Sequence, residues 1–217
     1  MTWERRPDPW PHWVHDSFLT VESAALITTE ALSHWWAARS EWVSYRNDVE
    51  QKWALASPAR CGPATTDLFA ALTGPAVTNS LAALTGVRGL VADGTLHGGG
   101  IHVVAPGGHL APHVDYSLHP KLPGMERRVN LILFLSGDPD AGGAFELWDD
   151  ECRTVVSRVD PSPGRAVAWC PGDVEYHGTQ AVTGTAPRVA AAVYYLAPAR
   201  PTSVRKVALF RPYRGAL

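Results

Sequence analysis

His113 and Asp115, one residue apart in PHVD, and His177, in YHG much further along, are the residues whose types and spacing could do chemistry. Residues i and i+2 of a strand point to the same side, so His113 and Asp115 can grip one ion together. Two imidazoles and one carboxylate on one side of an ion leave several positions open. That arrangement suits Fe(II), which needs room for a substrate and O2. An H-x-D pair alone arises often by chance, and the residues beyond His177 make it specific. Arg188 opens the run RVAAAVYY, and in a strand Arg188, Ala190, Ala192 and Tyr194 share a face. A fixed cation beside small side chains leaves space for a carboxylate ligand, which arginine can bind through two parallel N–H bonds. In isolation such an arginine more often pairs with a surface acid; beside the metal residues, the ligand reading prevails.

Several elements must position these groups. Residues 1–16, rich in Pro and Trp, read as an extended, aromatic-packed leading segment. Thr20 is placed to cap a helix over about 21–39, with Glu22 in its first turn. A second helical region spans about 66–84, broken at Gly74-Pro75 and stopped by Gly86. The tryptophans Trp35, Trp36, Trp42 and Trp53 are expected to pack this helical layer onto a sheet. From about residue 87, short β-rich runs alternate with Gly, Pro and Asp: 101–105, 129–135, 144–148, 154–159, 165–169 and 188–196. Many short strands with turn signals between them indicate a sandwich or barrel. The organisation is one domain over 1–217, with an extended and helical part to about 86, a β core over about 87–197 and a tail at 198–217.

The chain has 217 residues, enough for one well-developed core, and its 46% hydrophobic and 18% charged residues describe a globular protein. A net charge of −2 excludes the basic excess that nucleic acids and membrane surfaces reward. The N-terminus lacks the apolar stretch of a signal peptide, and no apolar run approaches the roughly 20 residues that span a bilayer. The expectation is a cytoplasmic protein with neither nucleic acid nor membrane as partner. Cys61, Cys152 and Cys170 form no C-x-x-C pair and read as buried small hydrophobes.

With these residues in view, the sequence resembles the Fe(II)- and 2-oxoglutarate-dependent oxygenases, in their prolyl-4-hydroxylase-like branch. His113-x-Asp115, His177 and Arg188 match the metal and cosubstrate positions. PHWV at 11–14 with Phe18 and Leu19, LHGGGIH at 96–102, PGGHLAPHVD at 106–115, RRVNLILFL at 127–135, GGAFELW at 142–148 and the stretch 161–169 extend the likeness over about residues 8–197. The resemblance implies a mainly β fold, a double-stranded β-helix (jelly-roll, cupin-like) core with N-terminal helices. It implies Fe(II) on His113, Asp115 and His177, and 2-oxoglutarate and O2 as cosubstrates. Arg188 would pair with the far carboxylate of 2-oxoglutarate, and succinate and CO2 would leave.

Halogenating relatives replace the carboxylate ligand with a small residue. Asp115 is present, which makes hydroxylation of a C–H bond the leading outcome, with desaturation, epoxidation and ring formation as the alternatives. Two tyrosines that animal prolyl hydroxylases use on 2-oxoglutarate correspond to Val104 and Phe134, so Arg188 must carry more of that contact, with Asn130 as its expected helper. His102 reads as a packed core histidine or an outer partner of the site. Tyr116, His109 and Trp148 are candidates to line the substrate, and Tyr116–Met125 reads as a lid. Glu146 and Trp148 share a strand face, at the mouth or on the surface. The substrate expected for so compact a chain is a small molecule or biosynthetic intermediate. The competing readings are a cupin-like metal enzyme that does not use 2-oxoglutarate and a non-catalytic jelly-roll binding module.

Overall fold

A computed structural model describes residues 2–212. Helix α1 (Val21–Ala37) starts where the Thr20 hydroxyl accepts the Ser23 N–H at 3.2 Å, and it turns Ala24, Ile27, Ala31 and Trp35 to the core. Helix α2 (Pro63–Thr73) begins three residues before the expected start, because proline is well suited to a first helical turn whose N–H groups lack partners. Glu30 of α1 supplies what that turn lacks, accepting the Ala64 and Thr65 N–H groups and the Thr65 hydroxyl. At Gly74-Pro75 the chain bends by 44° into α3 (Pro75–Thr85), which Gly86 ends in the left-handed conformation, φ 72°.

The strands are β1 (Glu4–Arg6), β2 (His12–His15), β3 (Val43–Arg46), β4 (Gln51–Leu55), β5 (Val91–Ala92), β6 (Gly100–Val104), β7 (Leu110–Val114), β8 (Met125–Phe134), β9 (Phe145–Trp148), β10 (Val155–Val159), β11 (Ala166–Trp169), β12 (His177–Thr179), β13 (Arg188–Pro198) and β14 (Leu209–Phe210). Among the described residues they form a large antiparallel sheet in the order β1-β2-β11-β8-β13-β6-β4-β3, with β5 on the end of β13, and a smaller one in the order β10-β9-β12-β7-β14. The two sheets face each other as a jelly-roll core, and the helices cover the outer face of the large one.

Strand alternation makes that large sheet two-sided. Leu131 and Leu133 of β8, Ile101 and Val103 of β6, and Val193 and Tyr195 of β13 pack outward against Ile27, Trp35, Leu68, Leu72 and Leu81 of the helices. Each large apolar side chain buried there contributes roughly 1.5–3 kcal/mol. The alternate residues Phe134, Val167, Trp169 and Ala190 point inward to meet Phe145 and Leu147 of the small sheet.

The sheets do not respect a boundary at residue 86. Strands β1–β4 join the large sheet, and β14, from the segment read as a tail, joins the small one. The β3–β4 hairpin carries no strong alternating pattern, being an edge. Trp53 packs near Trp35 as expected, but from a strand, and Trp36 is 66% exposed with the Arg39 guanidinium over its ring rather than in the layer. The three cysteines are half-buried and unpaired, with the Cys61 thiol pushed up to about 12 by burial.

Strand β12 lies between β9 and β7, and its register sets His177 opposite His113. Gly178 allows this close approach: a Cβ there would stand 2.7 Å from the Leu110 carbonyl oxygen. Gly178→Ala must push the two ligand-bearing strands apart. Overpacking of this kind costs about 2 kcal/mol, and a thermal melt should show Tm lowered by roughly 4–8 °C; an unchanged Tm would mean that the strands yield freely.

Candidate metal centre

His113 is the penultimate residue of β7, Asp115 comes just after that strand's end, and His177 opens β12. All three are buried, and their ligand atoms lie within 4.8 Å of one another. The His113 Nδ1 donates to the Ala111 carbonyl and the His177 Nδ1 to the Glu175 carbonyl, both at 2.9 Å. A carbonyl only accepts, so each Nδ1 carries a proton, and Nε2 is the ring atom turned toward the other two residues. Nε2 of His113 is 3.5 Å from Oδ1 of Asp115, and Nε2 of His177 is 3.4 Å from its Oδ2.

Burial pushes the His177 imidazole down to about 3, so it stays neutral. Burial alone would raise the Asp115 carboxyl, but the Arg127 charge and the two imidazoles outweigh it and hold the group well below the usual carboxylate range. Two imidazoles and an ionised carboxylate, their Nε2 and Oδ atoms turned toward one another, are a donor set that a divalent cation fits.

Arg188, at the start of β13, opens into the same cavity, which has a volume of about 420 Å³. Its guanidinium is buried and lies 4.9 Å over the Phe134 ring; among the described residues it has no acidic partner, and its Nε has no hydrogen-bond acceptor. Burial lowers its pKa to about 10. A buried cation left alone is costly, and a carboxylate ligand would satisfy both the charge and the orphaned N–H. Val104, Ile132 and Ala190 line the cavity beside it. The residues present therefore fit a metal ion and an anionic cosubstrate in one chamber.

Tyr116 lines this chamber, and its hydroxyl donates to the His97 carbonyl at 3.2 Å. The loop after it is pinned over the cavity: His119 pairs with the buried Asp93 at 3.1 Å, and the Ser117 and Leu118 N–H groups donate to the Arg205 carbonyl. Asn130 requires a correction. It shares the inner face as expected, but its amide donates to Asp115 Oδ2 at 2.8 Å and accepts from Arg127 Nε at 2.5 Å. Both ends are used on the metal ligand's side, which removes Asn130 from the contact expected with Arg188.

His109 and Trp148 are also corrected, since neither lines the cavity. The His109 ring turns toward the β3–β4 connection, with Nε2 3.4 Å from the Asp48 carbonyl. Phe145 and Leu147 take the inner face of β9, so strand alternation sends Glu146 and Trp148 the other way. Glu146 pairs with Arg158 at 2.9 Å, and Trp148 packs with Val114 and Tyr176. His102 does line the cavity. Its Nε2 donates to the Gly98 carbonyl at 3.2 Å, and burial, reinforced by the charges of Lys52 and Arg188, keeps it neutral.

Two contributors come from segments with no local signal. The β3–β4 hairpin supplies Tyr45 and the largely buried Glu50–Lys52 pair, 3.2 Å apart, to the cavity wall. The C-terminal strap supplies Phe210, whose ring stacks on His113 at 4.8 Å and 25°. It also supplies Arg205, which donates to the Asp115 and Gly172 carbonyls and pairs with Asp173. Arg205 thus ties the backbone of Asp115 to the segment that leads into His177. Removing residues 202–217 should weaken Fe(II) binding by about tenfold or more, as loss of outer partners does, measured by anaerobic competition with a chromophoric chelator. Wild-type affinity in the truncated chain would show the strap to be a mere cover.

The model of the 2OG-Fe(II) oxygenase superfamily matches residues 99–196, a stretch holding His113, Asp115, His177 and Arg188. Prolyl 3-hydroxylase 1 of Homo sapiens and that of Rattus norvegicus are each 42% identical over 57 residues, 26% of this chain and 8% of theirs. The chain thus matches only a small part of those relatives. Among solved structures, a prolyl-4-hydroxylase of Pseudomonas putida superposes with a TM-score of 0.61 at 16% identity, over 87% of this chain and 93% of that one. The α-ketoglutarate-dependent epimerase SnoN from nogalamycin biosynthesis does so with a TM-score of 0.59 at 14% identity, over 93% and 80%. At such identities the likeness is one of fold. The matched model, the jelly-roll core and the buried His-Asp-His cluster agree: residues 99–196, a part of this one fold, are similar to the 2OG-Fe(II) oxygenase superfamily.

Proposed function

We propose that this protein hydroxylates an unactivated C–H bond of a small molecule or biosynthetic intermediate, coupled to decarboxylation of 2-oxoglutarate. The observation that carries the reading is the buried, unpaired Arg188 facing the same chamber as His113, Asp115 and His177. Fe(II) with 2-oxoglutarate and O2 supplies the oxidising chemistry, the cosubstrate leaving as succinate and CO2. The chain's own residues bind and orient. His113, Asp115 and His177 hold the metal, Arg188 clamps the far carboxylate of the cosubstrate, and Phe145, Trp169 and Ile132 form apolar walls that exclude water. Val104 and Phe134 offer no hydroxyl near Arg188, so the guanidinium carries that clamp. The β3–β4 hairpin, the loop after Tyr116 and the strap all contribute to the lining of the cavity of about 420 Å³, a size that suits a small substrate.

A peptidyl-proline substrate is the second reading, favoured by the 42% identity with prolyl 3-hydroxylase 1 over 57 residues. A proline-rich peptide that stimulates succinate release would support it over the small-molecule reading.

Anaerobic titration of 2-oxoglutarate into the Fe(II)-loaded protein should develop a visible charge-transfer band, and His177→Ala should abolish it by removing a metal ligand. Arg188→Met should leave Fe(II) binding intact and weaken 2-oxoglutarate binding at least about thirtyfold, since truncating one partner of a buried charge pair costs 2–5 kcal/mol. Iron binding without any band would instead favour a cupin-like enzyme that does not use 2-oxoglutarate. No iron binding would leave a jelly-roll binding module.

A further inference from the structure

Arginine supplies nearly all the positive charge of this chain; its lysines are Lys52, Lys121 and Lys206, and the first two line the cavity. Alternation on β4 sends Trp53 to the helical side and turns Lys52, with Ala54, to the inner face. The β4–β6 register sets Trp53 opposite Val103, and the β6–β13 register sets Val104 opposite Arg188. One residue on from Trp53, Lys52 therefore stands level with Val104 and Arg188. It is two strand spacings, roughly 10 Å, from Arg188 across the sheet. Both charges act on the His102 ring of the strand between them.

On the oxygenase reading, Arg188 is answered by the far carboxylate of the cosubstrate. Lys52 is answered only in part. Its ammonium carries three donors, and among the described residues its one acidic partner is Glu50 at 3.2 Å, with the Tyr45 ring 5.3 Å from Nζ. Lys121, on the loop after Tyr116, is exposed at the edge of the cavity and has no acidic partner among the described residues. Around the cavity Lys52, Lys121, Arg127 and Arg188 thus face only two carboxylates, Glu50 and Asp115. Fe(II) and doubly charged 2-oxoglutarate bring equal and opposite charge, so loading the chamber leaves its excess of cations in place. A cavity with low-dielectric walls of one sign concentrates ligands of the other.

We propose that the molecule oxidised here carries a carboxylate, that Lys52 anchors it, and that Lys121 draws it to the cavity. One ammonium already shared with Glu50 matches a singly charged carboxylate better than a phosphate dianion. The proposal rests on the oxygenase reading and adds to it the charge of the substrate and the residue that reads it.

The test is anaerobic calorimetry on the Fe(II)-loaded protein saturated with 2-oxoglutarate, which occupies Arg188. The probes are two matched pairs, N-acetyl-L-proline with N-acetyl-L-prolinamide and cyclohexanecarboxylate with its amide. Each acid should bind about tenfold or more tighter than its amide, and Lys52→Met should erase that difference without weakening 2-oxoglutarate binding. Glu50→Gln, which removes the competing carboxylate, should tighten the acids; Lys121→Gln should flatten the fall of their affinity with added salt. Circular dichroism establishes folding, and Glu50→Gln carries the test if Lys52→Met does not fold. Amides that bind as well as acids, no binding of either acid, acid affinity indifferent to Lys52→Met, or weakening by Glu50→Gln would each overturn the proposal. If the charge-transfer band with 2-oxoglutarate persists in such a case, the oxygenase reading stands; a wild-type protein without the band would overturn that reading and this proposal with it.

Discussion

A carboxylate ionised in the interior of a β sandwich is the constraint on which most of this molecule depends. Removing Asp115 from water costs several kcal/mol unless its charge is matched and its oxygens are hydrogen-bonded. Arg127 and Asn130 meet that requirement from β8, and the two imidazoles stand across the sheet gap with their lone pairs inward. Arg188 is treated in the opposite way: it is buried without an acidic partner. The interior therefore balances Asp115 from within the chain and leaves the charge of Arg188 to be answered by a ligand. This asymmetry separates a structural ion pair from a binding group on physical grounds alone.

Holding an uncompensated guanidinium requires stability from elsewhere, and the two-sided large sheet supplies it. One face of β6, β8 and β13 is committed to the helical layer through Ile101, Leu133, Val193 and their neighbours. That leaves the other face free to carry His102, Asn130 and Arg188 without dissolving the core. The Tyr195 hydroxyl, which donates to the Leu72 carbonyl at 2.7 Å, and the Glu30 cap on α2 tie the layer into one body. Rigidity at the helices thus becomes precision at the site, because the same strands form both surfaces.

How much of this could be read from the sequence depended on whether the signal was local. The caps at Thr20 and Gly86, the break at Gly74-Pro75 and the strand runs from 101 to 196 are encoded in neighbouring residues, and the structure has them within a few positions. His113, Asp115, His177 and Arg188 announced themselves by residue type and spacing, and they meet in one cavity. Arg127 did not, because its direction depends on a bulge that strand alternation cannot foresee. Trp148 pointed the wrong way because two inner positions of β9 belonged to Phe145 and Leu147, a choice made by the facing sheet. The edge strand β3, its neighbour β4 and the two-residue β14 depend on their partners, and their own composition marks them weakly.

These hidden segments share a location, which bears on how far the family likeness reaches. The matched region, 99–196, contains the candidate metal ligands, Arg188, and the Arg127 and Asn130 side chains beside Asp115. Outside it lie the hairpin, with Tyr45 and the Glu50–Lys52 pair, and the strap, with Arg205 and Phe210, all at the cavity or against its ligands. The fold neighbours share this architecture at 14–16% identity, low enough for the mouth to be rebuilt while the sheets stay in register. A jelly roll keeps its metal site through pairings deep in the sandwich, such as His113 opposite His177, and those pairings do not depend on what covers the opening. The candidate metal site therefore rests on paired strands within the matched stretch, while segments outside it complete the cavity wall.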